Sequence, residues 1–133
     1  VDYFLYKYNL SKKDQNRIKI ISDFYKDKPN STTFSEKNMN KIFYYNGKQA
    51  VLDILIFNIF RSKKSNQKNI SNLIKLYKSK NIPLMPIKAD LLMSKYNLSA
   101  GRSLGNKLKL IEKEWVENNF KISDQQVENI VNN

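Results

Sequence analysis

Between Ala50 and Phe60 the chain runs AVLDILIFNIF, eleven residues in which only Asp53 and Asn58 are polar. A helix over Lys48 to Ser62 built on this run is apolar on nearly every side. That is the pattern of a central helix packed by several neighbours, not of one resting on a surface. The run is well short of the roughly 20 apolar residues that span a bilayer. The rest of the chain must therefore surround it.

The flanking sequence offers helices to do so. Ser11 with Asp14 opens a helix expected over Lys12 to Asp27, with Ile18, Ile21, Phe24 and Tyr25 on one face. Thr33 and Glu36 have the spacing of a capping box for a short helix through Met39, Ile42 and Phe43, which Gly47 ends. A further helix over about residues 67–80 carries Ile70, Leu73, Ile74 and Tyr77 at i, i+3, i+4, i+7. The stretch NIPLMPIK has two prolines and forces an extended connection. A short helix over Lys88 to Tyr96, a turn, and a long helix to about Asn119 follow; Leu104, Leu108, Ile111 and Trp115 mark the buried stripe of the long one. Ser123 and Gln126 cap a last helix with Val127, Ile130 and Val131. Val and Thr are few and no stretch alternates for long in strand fashion. The fold expected is all-α, a compact bundle of six or seven helices forming a single domain over residues 1–133. Tyr3, Phe4, Tyr6, Tyr8, Phe43, Tyr44, Tyr45 and Trp115 are expected in its core.

The chain has neither cysteine nor histidine, which excludes disulfides, thiolate or imidazole metal sites and every Ser-His or Cys-His nucleophile. Phosphoryl transfer on two metal ions requires paired carboxylates. There is no Asp-x-Asp, Glu112 and Glu114 diverge on a helix, and Asp23 and Asp27 have no third ligand. No catalytic residue, metal or cofactor is expected in this chain. Its opening VDYFLYKY lacks an initiator methionine and a signal-peptide pattern, which suggests a piece of a longer protein in a cytoplasmic setting, away from membranes.

The formal net charge is +12. An AT-rich genome, which favours Lys, Asn and Ile, accounts for part of it. The distribution asks for more: residues 54–89 hold eight basic and no acidic groups, whereas 90–133 hold six of each. Arg61, Lys63, Lys64, Lys68, Lys75 and Lys78 form a candidate basic ridge along a flank of the helix at 67–80, suited to neutralising nucleic-acid phosphates. A lysine-rich solvated surface is the competing reading.

NLSAGRSLGNKL, residues 97–108, holds two of the three glycines. Its spacing and lack of a hydroxyl after Lys107 exclude a P-loop. Arg102 and Lys107 at a helix start remain candidate phosphate contacts. The structural alternative is that Gly101 supplies an unusual φ and Gly105 admits a neighbouring helix.

The stretch MPIKADLLMSKYNLSAGRSLGNKLKLIEKEWVENNF resembles the C-terminal part of the bacterial tRNA nucleotidyltransferases, the CCA-adding enzymes and their poly(A) polymerase relatives. Pro86, Ile87, Asp90, Leu91, Gly101, Gly105, Leu108, Glu112 and Trp115 carry the likeness, with Asp90, Gly101 and Gly105 as structural turn positions. Upstream, YNLSKKDQNRIK is similar to the Leu-Ser motif opening the helical body of that family. Ala89 stands where glycine is common, and Arg102 where proline often stands. The resemblance implies the tRNA-binding body and tail. Mg²⁺ and CTP or ATP belong to a catalytic head and neck, on the same or a separate chain, whose motifs are absent here. A helical protein-interaction module and a free-standing nucleic-acid-binding domain are the alternatives.

Overall fold

A computed structural model describes residues 3, 7–30, 32–61 and 67–133. Among them the fold is all-α, with seven helices and no strand: α1 Lys12–Tyr25, α2 Glu36–Asn46, α3 Lys48–Arg61, α4 Gln67–Ser79, α5 Ala89–Tyr96, α6 Arg102–Glu117 and α7 Asp124–Val131. The residues gather into two compact units, Val1–Ile82 and Pro83–Asn133.

In the first unit α3 packs against α1, α2 and α4. Ala50, Val51, Ile54 and Leu55 are fully or almost fully buried, each of the larger ones adding about 1.5–3 kcal/mol by leaving water. The enclosure fails towards the C-terminal end. Ile56 and Phe57 are each 40% exposed and Phe60 is 84% exposed. The one carboxylate in the apolar run, Asp53, is matched from α1: Arg17 donates Nε to Oδ2 and Nη2 to Oδ1, both at 2.9 Å. Gln49 donates to the same carboxylate at 2.8 Å. Burial pushes the Asp53 carboxyl up, but the Arg17 and Gln49 hydrogen bonds and the Arg17 charge outweigh it and hold its pKa below the usual value.

α4 joins from the other side through a buried polar contact. The Tyr77 hydroxyl donates to Asn40 Oδ1 at 2.7 Å, and both residues have no exposed surface. Lys80 Nζ donates to the same oxygen at 3.0 Å. Burial, with the charge of Glu36 adding to it, pushes the Tyr77 phenol far above its ordinary range.

Local chemistry sets the ends. Ser11 caps α1 by accepting from the Asp14 N–H at 3.1 Å. The cap of α2 is Ser35, which accepts from the Asn38 N–H, and not the expected Thr33. Thr33 is engaged one turn earlier, where Asn30 Oδ1 accepts the N–H groups of Thr32 and Thr33 and Thr33 Oγ1 accepts from the Asn30 N–H. Gly47, at φ +94°, separates α2 from α3 with a single residue.

The second unit is built on α6, which packs against α5 and α7. Leu92, Leu104, Ile111, Val127 and Val131 form its centre, with Met85, Ile87, Tyr96 and Leu108 packed around them. Trp115 is 2% exposed and meets Phe120 edge-on at 5.0 Å. The capping box of α7 forms in full between Ser123 and Gln126.

Two further expectations need correcting. Tyr3, Tyr8 and Tyr45 are 74%, 57% and 51% exposed, so these rings do not fill the core as Phe43 does; Phe4 and Tyr6 lie outside the described residues. Gly105 does not admit a neighbour, since a Cβ there would meet nothing within 4 Å. It lies inside α6, and the α5–α6 turn is made instead by Asn97 in the left-handed region and by Gly101 at φ +149°, ψ −169°.

The two glycines therefore predict opposite outcomes. Gly101→Ala forces a side chain into backbone space that is nearly glycine-only, which destabilises by about 1–3 kcal/mol. Gly105→Ala removes a flexible residue from an open helical position and stabilises by about 1 kcal/mol. Thermal melts monitored by circular dichroism should move down for the first and up for the second.

Asp53 predicts a pH dependence. Its folded pKa is depressed, so its contribution to stability is present above the unfolded value of about 3.9 and is lost as pH falls through the folded value. The Asp53→Asn chain should melt several degrees lower than the parent at neutral pH, and the gap should close as pH is taken down through the acidic range.

Candidate nucleic-acid interface

Seventeen of the basic and six of the acidic residues fall in the first unit, so +11 of the formal +12 resides there and the second unit is nearly neutral. Helix α4 contributes three of these cations and no anion. Its sequence QKNISNLIKLYKS contains no carboxylate, and its apolar residues are confined to one stripe, where Ile70, Leu73 and Tyr77 are buried. At about 100° per residue, Lys68 and Lys75 lie opposite that stripe, not along its flank as the ridge supposed. Lys78 lies nearer its edge. All three are exposed, and they alternate with exposed Asn69, Ser71 and Asn72. The outer face of α4 thus offers ammonium, amide and hydroxyl donors with no anion among them. Among the described residues none of the three lysines is held in a salt bridge.

The other candidates have different surroundings. Lys63 and Lys64 lie outside the described residues. Arg61 is exposed at the end of α3, and its guanidinium lies over the Tyr25 ring at 4.8 Å from the centroid, so it is fixed to α1 and is not a loose member of a ridge. Arg102 is exposed in the first turn of α6, beside the Gly101 cap, which supplies no side-chain acceptor to the free N–H groups. It opens on a cleft of about 590 Å³ shared with Lys113, Glu114, Glu117 and Ile130. The two glutamates offset the cations there.

Lys107 belongs elsewhere. Its Nζ donates to the backbone carbonyl oxygens of Val131 and Asn133 at the end of α7, with the Ile130 carbonyl also in reach. It closes a helix C-terminus, where cations are favoured, and its ammonium is turned to the protein and not to a phosphate. Asp90 is exposed in the first turn of α5, an electrostatically favourable place for a carboxylate.

Sequence reasoning missed a groove of about 610 Å³ between α1 and α3, lined by Ile18, Ile21, Tyr25, Lys26, Phe57 and Arg61. Its signal in the sequence is the i, i+4 spacing of Phe57 and Arg61, which is masked because the apolar run places Phe57 in a helix enclosed all round and the charge pattern places Arg61 on the ridge.

Among the described residues no group of three or more acidic side chains is placed to hold a metal ion, and no helix is long and apolar enough to cross a membrane. Compared with protein-family models, with curated proteins and with solved structures, the chain matches none.

Proposed function

We propose that this chain is an RNA-binding helical module, the tRNA-holding body and tail of a tRNA nucleotidyltransferase of the CCA- or poly(A)-adding kind. It positions tRNA through phosphate contacts for 3′-end addition carried out by a catalytic head. The observation that carries the RNA reading is the outer face of α4, where Lys68, Lys75 and Lys78 stand among neutral polar side chains with no carboxylate. Such a face neutralises phosphates and releases counterions while reading little sequence. The assignment to tRNA nucleotidyltransferases rests on the likeness of residues 85–120; of its landmarks, Gly101 makes the turn, and Leu108 and Trp115 belong to the inward side of α6. A cytoplasmic setting goes with that reading. The second reading, a protein-interaction module, is favoured by the exposed apolar side chains of Phe60 and Leu84.

Titration with intact tRNA, an RNA minihelix and duplex DNA at low and moderate salt separates the two. Preference for tRNA and affinity that falls steeply with salt are expected; a flat salt response with no tRNA preference overturns the proposal. Lys75→Glu with Lys78→Glu should weaken tRNA binding by about tenfold or more and reduce the salt slope by roughly two, with melting temperature nearly unchanged because both side chains are exposed. A matching loss of stability would show that these residues hold the fold.

Supplied with tRNA, Mg²⁺ and CTP or ATP, the chain should incorporate no nucleotide. Measurable incorporation would place an active site within it.

A further inference from the structure

The α1–α3 groove has the chemistry of a nucleotide site. Ile18, Ile21 and Phe57 give it apolar surface, Lys26 and Arg61 give it cations, and no acidic residue lines it among the described residues. The Tyr25 ring is held in place: its hydroxyl donates to the Ile54 carbonyl at 2.7 Å, and Phe24 and Phe57 each approach it at 5.0 Å. The Arg61 guanidinium carbon lies over this ring, 4.8 Å from its centroid and 6.0 Å from that of Phe57. The guanidinium is thus in cation–π contact with tyrosine while the side chain as a whole remains exposed. Phe57, Phe60 and Arg61 stand at i, i+3, i+4 on one face of α3, with Phe57 40% and Phe60 84% exposed.

We infer that this groove takes one unpaired nucleotide of the bound RNA, its base stacked on the Phe57 and Arg61 surface and its phosphate held by Arg61 and Lys26. The inference rests on the RNA-binding reading above and adds to it a site and a substrate feature. A guanidinium ordered against a ring loses little freedom on stacking, and its N–H edge remains available to a phosphate. An apolar peptide would cover Phe57 but leave two cations facing it without anions; a nucleotide meets both needs in one ligand. A base within a duplex has both faces already stacked, so the groove selects a loop, bulge or end.

The test compares the full chain's affinity for two RNAs of equal phosphate number, a hairpin with a fluorescent purine analogue in its loop and a blunt duplex. The hairpin should bind about five- to tenfold more tightly, with the analogue's fluorescence quenched on binding. Phe57→Leu, which keeps an apolar side chain, should remove most of that preference. Arg61→Lys should do the same while keeping the charge, and its exposed position keeps the comparison sound if Phe57→Leu perturbs folding. Equal affinity of the parent chain for both RNAs, with a normal salt response, overturns the groove and leaves the RNA-binding proposal standing. No binding of either RNA overturns both. Self-association that Phe57→Leu abolishes would assign the groove to a second copy of this chain and overturn the nucleotide site.

Discussion

A helix that is apolar on nearly all sides calls for cover on nearly all sides, and α3 imposes that demand on the first unit. Three helices answer it, and each does so with a different chemistry. α1 brings Arg17 to the lone carboxylate in the run, α2 precedes it across a single glycine, and α4 lays its apolar stripe down. The charge distribution is a by-product of this packing. Once Ile70, Leu73 and Tyr77 are turned inward, the remaining Lys, Asn and Ser of α4 have only solvent to face. The groove has the same origin, because Phe57 and Phe60 lie where the surrounding helices run out.

A buried asparagine gives the packing its register. Asn40 has no exposed surface, so its amide oxygen must find donors inside the protein, and Tyr77 and Lys80 supply them from α4 and the residue just beyond it. Sliding α4 by one turn would carry both of these donors away from that oxygen. An apolar contact tolerates such a slip far better than a polar one does, so the Tyr77 and Lys80 donors set the height of the basic face relative to α2. The outer face of α4 is thus positioned from within.

Much of the fold was legible because helices announce themselves by period and by caps. The seven helices, the Gly47 break, the Ser11 and Ser123 caps and the stripe from Leu104 to Trp115 all follow from local rules. Thr33 misled because two hydroxyl residues competed for one cap, and Asn30 had already claimed the earlier one. Gly105 misled because a glycine in a helix can mark either close packing or nothing at all, and only the neighbours decide. The site was less legible. Exposure of Lys68, Lys75 and Lys78 follows from the helical wheel, but the company kept by Arg61 and Lys107 depends on residues 36 and 24 positions away in the sequence, at Tyr25 and Val131.

Lysine is abundant throughout this chain, and three of its ammonium groups have been drawn into the architecture. Lys48 donates to the carbonyl of Lys78 at the end of α4, Lys80 to Asn40, and Lys107 to the end of α7. As formal charge they equal Lys68; as chemistry they are donors that close helix ends and satisfy a buried amide. The two groups therefore face different fates under compositional drift. Arginine or glutamine could replace the outward lysines one by one with little effect on folding, whereas at 48, 80 and 107 the length and single-point charge of lysine have become part of the joinery.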